Sequence, residues 1–185
     1  MITRNDAYKL VTEMLQNQNL VRHSLAVEAI MRSLAGRFNE DQEEWGIVGL
    51  LHDGDYEVTN KDLSAHTDVI VEKLRQIGVG DRIINGILAH HALKKPQREN
   101  MLEKAIFASD ELSGLITACA LVQPEKKLNT VTVESVLKKF RQPSFAAGAH
   151  RDQILKCEPE LGIPLSEFVK ISLEAMQGIS KELGL

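Results

Sequence analysis

Apolar residues recur along most of the chain at spacings of three and four, the period of helices that bury one face. Ala7, Leu10, Val11, Met14 and Leu15 make one such face. Ahead of them, Thr3-Arg-Asn-Asp6 has the form of a capping box with Asp in place of the usual Glu or Gln. From about 19 to 38 the stripe is Leu20, Leu25, Ala29, Ile30, Leu34 and Ala35. Asn39 is placed to cap a third helix, whose first turn is acidic (Glu40, Asp41, Glu43, Glu44), a sign that suits the positive end of the helix dipole. That helix carries Trp45, Ile47, Val48, Leu50 and Leu51 down to His52-Asp53, and Gly54 ends it. Further helices are predicted over about 62–77, 81–91 and 101–123. Beyond a break at Pro124–Asn129 they continue over 133–140, 147–157 and 165–183. No stretch alternates apolar and polar residues as a half-buried strand would, so the expected fold class is all-α.

Composition narrows the picture a little. With 185 residues, 43% apolar and 26% charged, the chain has material for the core of one soluble domain. Its net charge of -4 gives no general reason to expect a nucleic-acid polymer or a membrane as partner. The first residues lack the apolar core of a signal peptide, and Asp110 and Glu111 interrupt the most apolar long run, so a cytoplasmic protein is expected. Cys119 and Cys157 have no zinc-type spacing and read as reduced, packed thiols. A Gly-x-Ser-x-Gly elbow, a phosphate-binding loop and a dinucleotide fingerprint are all absent from the sequence.

The chemistry lies in histidines and aspartates set in apolar surroundings. Five of the six histidines, His23, His52, His66, His90 and His91, precede residue 92, and Asp53 and Asp110 follow Leu-Leu-His and Ile-Phe-Ala-Ser. Buried ionisable groups need partners. Imidazole mixed with carboxylate suits manganese, iron, zinc, cobalt or nickel; magnesium stays open, although a site for it alone would use oxygen ligands. Seven such groups exceed what one ion needs and suit two ions sharing a carboxylate. Such a site generates hydroxide near neutral pH and clamps a phosphoryl group.

The order His23, His52-Asp53, Asp110 resembles the HD superfamily of metal-dependent phosphohydrolases. With His66 and His90-His91 added, the set is similar to that of the binuclear members, including the HD-GYP phosphodiesterases. The Gly-Tyr-Pro motif itself is absent, since the His-His pair runs on into Ala-Leu-Lys-Lys-Pro, which argues against cyclic-di-GMP. The segments His-Asp-x-Asp-Tyr-Glu (52–57), Ser-Asp-Glu-Leu-Ser-Gly (109–114) and Ser-Phe-Ala-Ala-Gly (144–148) look like those of an uncharacterised group of bacterial and archaeal HD hydrolases. The resemblance covers about residues 20–115; the chain length and a single seam near Pro124 predict one domain over 1–185, with a helical extension over about 125–185. The resemblance implies one ion on His23, His52, Asp53 and Asp110, and a second on His66, His90 and His91 with Asp53 bridging. The implied enzyme hydrolyses a phosphate ester, expected to be a nucleotide or other small phosphorylated metabolite. Two alternatives use the same ligands: a di-iron oxygenase, and a non-catalytic module that senses nucleotide or metal. Oligomeric state has no signature in the sequence.

Several residues carry two readings. His66 is a ligand or a helix-cap partner. Adjacent helical residues point about 100° apart, so His90 and His91 can both ligate only where a helix ends. Arg22, Lys94, Lys95 and Arg98 either capture phosphate or sit in solvent and pair with acids. Glu111 acts in catalysis by orienting a metal-bound water or a ligand, or else pairs with a lysine. Asp55, Tyr56 and Glu57 line the pocket or serve the turn after Gly54. His150 is expected to be a surface helix residue.

Overall fold

The structure, a computed structural model, describes residues 2–60 and 62–185. Helices α1 (Arg4–Met14), α2 (Gln18–Phe38), α3 (Gln42–Leu51), α4 (Asp68–Gln76), α5 (Asp81–Ala89) and α6 (Met101–Leu121) come first. A 3-10 turn at Leu128–Thr130 leads to α7 (Val133–Phe140), α8 (Arg151–Ile154), α9 (Cys157–Leu161), α10 (Leu165–Gly178) and α11 (Ser180–Leu183). The described residues contain no strand, so the fold is all-α.

α2 is the axis of the molecule. It packs against α3, α6 and α10, which is why it buries Val21, Ala26, Val27 and Met31 as well as the predicted stripe residues Leu25, Ile30, Leu34 and Ala35. α3 lies so close to it that a Cβ on Gly49 would come within 2.8 Å of the Val27 carbonyl oxygen. This contact requires glycine, because it is with backbone and backbone cannot swing aside. Glu28, 4% exposed on α2, is neutralised by Arg4 at 2.7 Å and Arg32 at 2.9 Å. α6 crosses α2 and α5, while α7, α8 and α9 lie against α6. The side chains of Leu128, Val136, Ile154, Phe168 and Met176 join one continuous apolar core with those of α2, α3 and α6.

Several helix ends differ from those the sequence predicts. The capping box at Thr3 forms as predicted. Asn39 does not cap α3: it sits at φ 55° as the left-handed C-cap of α2, and Asp41 caps α3 by accepting from the N–H groups of Glu43 and Glu44. The helix predicted from 62 begins only at Asp68, because Thr67 adopts φ 74° and residues 62–66 form turns. The helices predicted over 147–157 and 165–183 are each broken, at 155–156 and at Ile179. No helix among the described residues is long and apolar enough to cross a membrane.

Candidate metal centre

Four helices deliver the centre. α2 brings His23 from its second turn, the end of α3 brings His52 and Asp53, the end of α5 brings His90, and mid-α6 brings Asp110. His66 comes from the irregular segment before α4. Two groups result, and Asp53 belongs to both: His23, His52 and Asp53 in one, Asp53, His66 and His90 in the other. In the first, the Nε2 atoms of His23 and His52 are 3.2 Å apart, and Asp110 Oδ1 is 3.0 and 3.4 Å from them. Asp53 Oδ2 lies 3.5 and 3.6 Å from the same two nitrogens. In the second, the Nε2 atoms of His66 and His90 are 2.9 Å apart, with Asp53 Oδ1 at 3.1 and 3.4 Å.

The partners of the other ring nitrogens decide what these atoms are. His52 Nδ1 donates to the Gly49 carbonyl at 2.8 Å, and His90 Nδ1 to the Ile87 carbonyl at 2.6 Å. His66 Nδ1 donates to Asp55 Oδ1 at 2.8 Å. Ser113 Oγ spends its proton on the Asp110 carbonyl and therefore accepts from His23 Nδ1 at 3.0 Å. In the neutral ring each Nδ1 carries the proton, so every Nε2 presents a lone pair. The lone pairs of paired imidazoles and of carboxylate oxygens then converge with no proton among them. That arrangement is repulsive unless a cation stands between, and the donor set fits divalent metal.

The electrostatics agree. Burial opposes charge on His52, but Asp53 and Asp110 outweigh it and push its pKa up to about 9. His66 is likewise pushed up to about 9, its burial outweighed by Asp53 and Asp55. Burial would raise Asp53 and Asp110, but His52 and the other imidazoles hold both well below the usual carboxylate range. The cluster therefore seeks positive charge, which protons supply in the absence of metal.

Asp55 is the residue that sequence reasoning undervalued. Turn chemistry was an adequate reading for it, yet it is wholly buried. Besides His66, its carboxylate accepts the N–H groups of Thr67 at 3.0 Å, Val69 at 3.0 Å and Ile70 at 3.1 Å. One side chain thus caps α4 from twelve residues upstream and sets the tautomer of His66. The signal was its type and position, an Asp two residues after His-Asp, but not its partners. Glu57 turns away from the centre and accepts the N–H groups of Gln16 and Asn17. Tyr56 stays, its ring 5.4 Å from that of His66.

Other expected site residues are dispersed. His91 stands outside both groups, its ring 5.5 Å from that of His66; it lines the cleft, and burial lowers its pKa. Lys94 is held by Asp68 and the Ser64 carbonyl, Lys95 by Glu103, and Arg98 by Glu160 over the face of Phe107. None of these three lines the cleft of about 470 Å³ over the centre. Arg22 is exposed beside His23. Glu111 does line the cleft, bonded to His150 through the Nδ1 at 2.7 Å and the backbone N–H at 3.0 Å. His150 was expected on an ordinary surface; it is exposed, but it also borders the cleft with Gly148 and Gln153. The loop before it is gathered by Arg151, whose guanidinium donates to the carbonyls of Phe145, Ala146 and Ala149. Cys119 and Cys157 are buried free thiols, pushed up by burial to about 11 and about 12.

The HD domain model matches residues 20–115. Ribonuclease Y of Fervidobacterium nodosum is 37% identical over 147 residues, which are 77% of this chain and 28% of that protein. Ribonuclease Y of Aquifex aeolicus is 29% identical over 178 residues, 95% of this chain and 31% of that protein. That of Thermosipho melanesiensis is 26% identical over 165 residues, with coverages of 85% and 32%. The chain spans about a third of the length of these curated relatives. No solved structure matches it. These relatives overturn the expectation of a small phosphorylated metabolite with no nucleic-acid polymer as partner. The physical reason is that net charge averages over the whole surface and does not report the local field in a single cleft. Ordered ligands, all-α fold and family model agree: the chain belongs to the HD domain family, metal-dependent phosphohydrolases that bind divalent metal through a His/Asp centre.

Proposed function

We propose that this chain hydrolyses phosphodiester linkages in RNA. The observation that carries the reading is Asp53, whose Oδ2 faces His23 and His52 while its Oδ1 faces His66 and His90. Each pair, with Asp110 added to the first, makes a separate ligand set around the shared carboxylate. We assign two divalent transition ions to these sets, with manganese, iron, cobalt, nickel or zinc suited to the donors. Bound metal supplies an activated water and neutralises charge on the phosphoryl oxygens.

The chain's own residues do the rest. Gly49, Ile87, Ser113 and Asp55 hold each imidazole by its Nδ1, so the Nε2 atoms face inward and only their protons are exchanged for metal. His150, fixed at Nδ1 by Glu111, offers its other nitrogen at the cleft as a proton donor to the leaving oxygen; Glu111 is a positioning residue in this reading. The helices beyond residue 125 belong to the same working unit, since their loop carries His150. The Ribonuclease Y relatives support RNA as the polymer.

The test is cleavage of a labelled RNA oligonucleotide by chelator-stripped protein resupplied with manganese, nickel or magnesium. Metal-dependent cleavage that disappears in His52→Ala is expected. RNA left intact under every metal, with simple phosphate esters turned over, would refute the reading.

A further inference from the structure

Three clefts meet over the centre. The first, of about 470 Å³, lies beside Tyr56, His66, His90 and His150. A smaller one, of about 260 Å³, shares Asp110, Glu111 and Gly148 with it and also reaches His23 and Gly114. His23 and Gly114 in turn border a third cleft of about 440 Å³, walled by Asn19, Arg22, Thr117 and Leu121 and by the tail residues 183–185. Their shared lining residues set the three in succession from the His66 side, past Asp110 and His23, to α2 and α6. A mononucleotide needs one such cleft; a strand continuing past the cleaved linkage needs the second.

Arg22 is the cation of that third cleft, and it is uncommitted. Its guanidinium lies against Gly184, has Asn19 Oδ1 at 3.5 Å as its hydrogen-bond partner, and makes no ion pair among the described residues. By contrast Arg4, Arg32, Arg37, Arg82 and Arg98 each hold a carboxylate. A guanidinium presents a donor fork matched to phosphate oxygens. The cleft also offers amide and hydroxyl groups on Asn19 and Thr117 for a sugar or base, and an apolar wall at Leu121. On α6, Gly114 leaves the passage open: an added Cβ there would meet nothing within 4 Å.

We infer that the third cleft binds the nucleotide adjoining the cleaved linkage of a single strand, with its phosphate on Arg22. The inference rests on the RNA reading above and adds the direction of the strand: over the centre, past His23, toward Arg22.

The test measures binding by fluorescence anisotropy, with manganese-loaded protein and fluorescein-labelled phosphorothioate RNA of two and of four nucleotides. The wild type is expected to hold the tetranucleotide more tightly than the dinucleotide. Arg22→Gln should remove most of that advantage, about tenfold, and lower the salt slope by about 0.7, the value for one phosphate contact on a single strand. Gly114→Leu, whose Cβ would meet nothing within 4 Å, puts a side chain at the passage and should do the same by obstruction. Arg75→Gln, at another exposed arginine with no ion pair among the described residues, serves as control and should bind as wild type does. Equal affinity for the two lengths, or unchanged binding in both Arg22→Gln and Gly114→Leu, would overturn the inference. RNA cleavage that persists with those results would spare the proposed function; Arg22-dependent binding without cleavage would spare the cleft and refute the function.

Discussion

The two halves of the centre are built by different means. His23, His52 and Asp110 stand on or at the end of regular helices that pack tightly on one another, and their outer partners are a backbone carbonyl and a neighbouring hydroxyl. His66 stands in irregular chain, and one buried carboxylate, Asp55, holds it in place from eleven residues away. The first half is therefore as rigid as the α2–α3–α6 core. The second joins His90, fixed at the end of α5 by the Ile87 carbonyl, to a His66 that is only as firm as four hydrogen bonds to a single side chain. An active centre can thus have one half determined by the core and another that a single substitution can release.

Asp53→Ala ought to have the largest effect, because it removes the group common to both halves. Activity should fall by about a thousandfold or more, and metal retained after gel filtration should drop for both sites. Unchanged metal content would break the comparison altogether, since neither half would then depend on the bridge.

Asp55→Ala separates the halves. Four donors lose their acceptor at once, and each buried unsatisfied donor costs about 1–3 kcal/mol. Titration followed by elemental analysis should show one equivalent of metal lost and one kept. Ser113→Ala, on the first half, should weaken that site by only about tenfold, as loss of an outer-shell partner does. If Asp55→Ala lost both equivalents alike, the two halves would be one cooperative unit.

The pH dependence sharpens the same picture. His52 and His66 are pushed up to about 9 from 6.5 by the carboxylates around them, so folding strengthens their hold on protons. For a raised pKa the added stability is complete below 6.5 and is lost as pH rises through about 9. Chelator-treated protein should therefore show a falling Tm over that interval. Metal-loaded protein should behave in the opposite sense, losing ions as pH falls, because protonated imidazole cannot ligate. Thermal scans with and without chelator distinguish the two. A Tm of stripped protein that rises across the interval would show that the carboxylates do not govern these imidazoles.

The smallest effect concerns Thr67, a β-branched residue at φ 74° beside His66, whose buried hydroxyl has no partner. Such a conformation costs on the order of 1 kcal/mol or more, which Thr67→Gly should recover in urea unfolding. A loss of stability instead would mean that the methyl and hydroxyl groups support the second half.

Local rules account for what was legible. The period of three and four placed α1, α2, α5, α6 and α7 close to their observed bounds, and the capping box at Thr3 formed, because each depends on residues within one or two turns. The ordered histidines and aspartates identified the family, since they stand in apolar surroundings where ionisable groups need a reason to be.

The tertiary structure alone decided the pairings. The acids that hold Lys94 and Arg98, the Glu111–His150 contact across 39 residues and the second role of Asp55 join segments that are not neighbours in sequence. Helical periodicity says which face of an element turns inward but not which neighbour it meets there. The tautomers of His23 and His66 follow from such neighbours and those of His52 and His90 from carbonyls three residues back, but the convergence of all four at one centre required the helices to pack.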